Sequence, residues 1–192
     1  MSEAIGVGVV PPLHRTFDPD EALEFHAARL LVLLAVCGRG TTARRIDGRT
    51  KLAKLDFFLR YPKFLERVHQ ELANRGEVGN PYRSTGPETE APMIRYRYGP
   101  WDPRYRNFIA YLESRGLVRI VGTAVEGFSL TAAGRRIAAQ LLDRSSFSPI
   151  VERAEAMVGN LAEWSGSDLR DFIYETFDEE VGQLSLRKEI TP

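Results

Sequence analysis

Lys63, Arg67, Gln70 and Asn74 recur at i, i+4, i+7 and i+11, which gathers four polar side chains into one stripe along a helix. Cations in such a stripe pair with phosphates, and amides read base edges in a major groove. Lys51, Lys54 and Arg60 just upstream, with Arg95 and Arg97 further along, extend the candidate nucleic-acid surface. Glu66 and Glu71 flank the stripe, so an ordinary solvated face or a protein interface is the competing reading.

A second group is aromatic. Tyr96, Tyr98, Trp101 and Tyr105 crowd around the turn Gly99-Pro100. They either pack the turn against the body or, if exposed, anchor a protein partner, as Trp and Tyr do at interfaces. Trp164 is expected to pack between two late helices. For catalysis the residues offer little. His14, His26 and His69 sit in unrelated contexts, and no Gly-rich phosphate loop or nucleophile elbow occurs. Asp56 reads as the polar edge of an amphipathic helix. The expectation is a protein that is not an enzyme, with no metal and no cofactor.

The elements that must position these groups follow from spacing and punctuation. Over residues 49–76, Thr50 can cap a helix with Leu52, Leu55, Phe58 and Leu59 on one face. Pro62 then starts a second helix with Phe64, Leu65, Val68 and Leu72 inward, ending near Gly76. Two helices at a tight corner read as a helix-turn-helix. Upstream, Asp18, Pro19 and Glu21 signal a helix start, and the run to Cys37 is apolar nearly all round, as befits a central helix. Residues 93–98 alternate like a strand, with Arg95 and Arg97 on one face beside a wing. Asp102-Pro103 opens another helix, closed by Gly116. Residues 117–121 and 128–130 form a hairpin, and Thr131 caps a helix to about Asp143. A helix over 149–163 and another capped by Ser167 complete the chain.

The predicted fold class is mainly α with a small β-wing: a winged helix-turn-helix domain followed by a C-terminal helical extension. The organisation reads as a flexible N-terminal arm (1–17), a winged-helix-like domain (18–145) containing a mobile loop (76–92), and an extension with a tail (146–192). Formal net charge is zero, but residues 44–119 hold 16 Lys/Arg against 9 Asp/Glu, whereas residues 150–192 hold 4 against 10. That asymmetry suggests two surfaces with different partners, or acidic residues that only solvate the late helices. The single cysteine, Cys37, has apolar neighbours and is expected to be a buried thiol in a reducing compartment. With no leader pattern and no apolar run long enough to cross a bilayer, the chain reads as soluble and cytoplasmic, with no membrane partner.

The blocks RTKLAKLDFFLRYPKFLER, MIRYRYGPWDPRYRNFIAYLESRGLV and LTAAGRRIA, with LRDFIYETF further on, resemble the middle component of bacterial ABC three-component systems, the Lamassu type of anti-phage defence. The likeness spans roughly residues 20–180, and YGPWDPRY is its most distinctive part. It implies a non-catalytic accessory subunit that bridges an SMC-like ATPase and an effector, often a nuclease, and contacts double-stranded DNA. The alternative is a free-standing winged-helix DNA-binding transcriptional regulator. A regulator calls for a strongly basic reading helix, and this one is only weakly basic.

Overall fold

An apolar run makes the centre of the molecule. The structure, a computed structural model, describes residues 22–38, 45–84 and 92–191. Helix α1 (Leu23–Cys37) buries Leu30, Leu31, Val32, Leu33, Leu34 and Val36, so its second half is covered on every side. Cys37 is buried, as expected, and its thiol donates to the Ala154 carbonyl at 3.4 Å. Helices α4 (Tyr105–Ser114), α5 (Ala132–Leu142) and α6 (Ser148–Ala156) lie against α1. The expected arm and the helix start at Asp18, Pro19 and Glu21 lie outside the described residues.

Residues 49–76 fold into two helices that meet at a proline, α2 (Arg49–Arg60) and α3 (Pro62–Asn74). Thr50 does not cap α2, because the helix begins two residues earlier than that cap would place it, with Gly48 in the cap position. Helix α2 is buried along most of its length, Lys54, Asp56 and Arg60 included. Asp56 is therefore a core residue and not a polar edge. Helix α3 is one-sided: Phe64, Leu65, Val68 and Leu72 are buried, while Lys63, Arg67, Gln70 and Asn74 are exposed.

The strands form two antiparallel sheets. In the first, β1 (Arg45–Asp47), β4 (Val118–Val121) and β5 (Gly127–Leu130) run in the order β1-β5-β4. The second is a hairpin of β2 (Ile94–Tyr96) and β3 (Gly99–Trp101). The strand expected over residues 93–98 is thus short and turns back on itself. Arg95 and Arg97 lie on this separate hairpin and not beside the β4–β5 pair. The helix directly before that pair is α4, with α3 and the β2–β3 hairpin intervening after α2. Arg104 occupies the cap position of α4, and Asp102 instead accepts the Arg104 backbone N–H at 2.8 Å.

Thr131 caps α5 as expected, its hydroxyl accepting the Gly134 N–H at 3.0 Å. Gly134 sits where a Cβ would lie 2.0 Å from the Leu117 carbonyl oxygen, so only glycine lets α5 approach the start of β4 this closely. The late helices depart from expectation at their ends. Helix α6 stops at Ala156, where the Asn160 amide donates to the Ala156 carbonyl at 3.0 Å and takes over from the backbone. Helix α7 (Gly166–Thr176) is capped by Ser165, not Ser167, in a reciprocal box with Asp168. Both helices join the same core, α6 against α1 and α7 against α2. Residues 187–190 run along β2: the Arg95 N–H donates to the Lys188 carbonyl and the Ile190 N–H to the Met93 carbonyl, both at 2.8 Å. The described chain is mainly helical with a small antiparallel sheet, and no described helix is long and apolar enough to cross a membrane.

Candidate interaction site

Four charged side chains from three elements of the interior fix where the aromatic turn sits. Arg29 of α1 grips Asp56 of α2 with both ends of its guanidinium, at 2.7 and 3.1 Å. The Tyr105 hydroxyl of α4 donates to the same carboxylate at 2.7 Å. Arg60 of α2 donates to Asp102, between β3 and α4, at 2.8 Å, and lies 3.9 Å from Asp56. The His26 ring lies flat on Phe108 at 4.8 Å, with Nδ1 2.9 Å from Arg29. A guanidinium only donates, so Nδ1 accepts and the ring proton is on Nε2.

All of these groups are buried. Burial pushes the Asp56 carboxyl up, but Arg29, Arg60 and the Tyr105 hydroxyl outweigh it and hold the group below the usual carboxylate range. Asp102 responds alike: burial opposes ionisation, while Arg104 and Arg60 bring it down to about 2. Tyr105 moves well above its ordinary value through burial and the Asp56 charge. The network joins buried side chains of α1, α2, α4 and the link after β3, so its role is to clamp α1, α2 and α4 to the end of β3.

On that clamp stands the aromatic hairpin. The Trp101 ring meets Tyr105 edge-on at 5.0 Å, and Tyr96 lies 6.1 Å from Trp101 on the same face. Tyr96 pairs across the strands with Gly99, whose φ of +111° is a conformation that L side chains rarely adopt. Arg49, Thr50, Tyr96, Tyr98, Pro100 and Trp101 line a pocket of about 220 Å³ here. Tyr96 and Tyr98 are 44% and 49% exposed, and Arg97 lies over the Tyr98 ring at 5.7 Å. Beneath Gly99 runs Lys54, buried, its ammonium donating to the Thr50 carbonyl at 3.2 Å. Burial, reinforced by Arg170, lowers Lys54 to about 8. Walls of aromatic face and proline suit an apolar side chain or a proline of a protein partner.

The structure brings Tyr96, Tyr98, Trp101 and Tyr105 together, but not Trp164, whose ring packs against Phe172 at 5.0 Å between α6 and α7. The candidate nucleic-acid residues are dispersed. Lys54 and Arg60 are sealed in and unavailable to a nucleic acid. Lys51 donates to the Ala162 carbonyl at 2.7 Å. Arg67 pairs with Glu180 and covers Phe177 at 4.8 Å, and Gln70 donates to Asn74 at 3.2 Å. Arg95 donates to the Val181 carbonyl at 3.0 Å, while Lys63 and Arg97 are exposed.

Sequence reasoning missed His26, Arg29, Asp56, Arg60 and Asp102 as a unit. Its one available signal was opposite charge on the inward faces of neighbouring helices, Arg29 in line with Leu33 and Asp56 in line with Leu52 and Leu59. No family model matches this chain, and neither a curated protein nor a solved structure matches it.

Proposed function

We propose that this chain is a non-catalytic accessory subunit of an SMC-like ATPase anti-phage defence complex, and that the aromatic hairpin is where a protein partner docks. The observation that carries the reading is the open pocket of Tyr96, Tyr98 and Trp101, mounted on a rigid buried clamp. Preorganised aromatic anchors bind with little loss of side-chain freedom. The order α1, β1, α2, α4, β4, β5, with strands arranged β1-β5-β4, supports a winged-helix body in which α3 and the β2–β3 hairpin are an insertion. The distinctive YGPWDPRY block falls on that insertion and the start of α4. In this reading the subunit bridges the ATPase and an effector nuclease.

A second reading, a DNA-binding regulator, has one observation in its favour. Helix α4, in the position that precedes the hairpin, exposes Arg106 and Asn107, with Arg115 exposed at its C-terminal cap. One experiment separates the two. Co-purification with the products of neighbouring genes is expected to yield a stable complex with a large ATPase, and Tyr96→Ala with Tyr98→Ala to abolish it. A lone dimer that binds duplex DNA, its affinity reduced by Arg106→Glu and Arg115→Glu, would overturn the subunit reading in favour of the regulator.

A further inference from the structure

A second cavity lies on the side of the molecule formed by α1, α5 and the β4–β5 pair. Its volume is about 290 Å³, at the small end of the range for sites that enclose a small molecule. The floor is hydrocarbon: Leu34 from α1, with Ala138 and Leu142 from α5. Three polar side chains line the same cavity. Arg119 of β4 stands directly opposite Ser129 of β5 in the antiparallel register, and Arg135 of α5 completes the group. Among the described residues, no acidic side chain lines the cavity.

Arg135 is held in place by donating to the Leu130 carbonyl at 3.0 Å, which leaves the other arm of its guanidinium for a ligand. Among the described residues, the Arg119 guanidinium and the Ser129 hydroxyl have no hydrogen-bond or ion-pair partner. Two planar cations and a hydroxyl around an apolar pit complement one kind of molecule, a compact apolar body ending in an anion. We infer that this cavity binds a small free organic acid, its carboxylate held by Arg119, Ser129 and Arg135 and its hydrocarbon portion packed on Leu34, Ala138 and Leu142. The site is separate from the aromatic hairpin and does not depend on the function proposed for it.

The test is a titration of the full chain with octanoate, octan-1-ol and octylamine, followed by amide NMR shifts. Octanoate is expected to bind saturably, with shifts confined to the end of α1, β4, β5 and α5. Arg119→Glu, an exposed position that the core does not need, is expected to weaken it by about ten-fold or more. Ala139→Trp, at the exposed rim, is expected to block it. Equal binding of octanol or octylamine would overturn the anionic head group, and unsaturable or scattered shifts would overturn the site. Should Ala139→Trp fail to fold, Arg119→Glu with octanoate still decides the matter. Capture on phosphatidylglycerol vesicles, abolished by Arg119→Glu and without saturable octanoate binding, would assign these arginines to a lipid surface and overturn the free acid.

Discussion

Helix α3 and the β2–β3 hairpin both present polar or aromatic side chains to solvent, yet they use them in opposite ways. On α3, Arg67 is paired with Glu180 and Gln70 with Asn74, so three of its four stripe positions are engaged with this chain or with each other. On the hairpin, Tyr96 and Tyr98 remain substantially exposed over a pocket. Charged side chains on long stems reach neighbouring carboxylates and carbonyls readily, whereas rigid rings fixed by a two-residue turn cannot fold away. Exposure of a charged stripe is therefore weak evidence for a partner, and exposure of clustered rings on a clamped support is stronger.

The comparison breaks most visibly at the clamp. Asp56→Ala leaves Arg29 and Arg60 buried without their shared carboxylate, and is expected to cost about 3–5 kcal/mol in denaturant unfolding. Retained stability would show that the hairpin needs no such support. Next in size is the pH dependence set by Lys54 below the pocket. Its folded value of about 8 lies below the ordinary 10.5, so between those values the unfolded chain binds more protons and stability rises with pH. Unfolding measured from pH 8 to pH 10 is expected to show a rise of about 2 kcal/mol, largely absent in Lys54→Met. Lys51, also lowered by burial, keeps a smaller rise of the same sign. The smallest effects sharpen the contrast directly. Arg67→Ala loses a half-exposed, solvent-screened pair and is expected to cost about 0.5 kcal/mol, with Tyr98→Ala no larger. Only the tyrosine change should reduce partner capture.

Local signals in the chain were readable to the extent that their partners were local. The break at Pro62, the Thr131 cap and the pair of strands at 118–130 each rest on residues a few positions apart, and each is present. Thr50 and Ser167 are plausible caps that lost to Gly48 and Ser165, each two residues earlier; at Ser165 the choice follows the reciprocal box that Asp168 closes. Asp56 was misread because its partners, Arg29 and Tyr105, are 27 and 49 residues away, and helical periodicity says nothing about which charge a polar position will meet. The placement of Arg95 and Arg97 failed for a related reason. Alternation marks a strand but does not name its neighbours, and here they are β3 on one side and residues 187–190 on the other.

The Tyr61 hydroxyl, at the corner between α2 and α3, accepts the Met93 N–H at 2.6 Å and donates to the Ile190 carbonyl at 3.1 Å, a residue 129 positions downstream. One phenol thus ties the approach to the hairpin and its outer edge to a single point in the core. During synthesis the edge of β2 stays open until residues 187–190 have left the ribosome. The outer edge of the hairpin closes only then, so this part of the fold waits on a segment far downstream of the strand it covers.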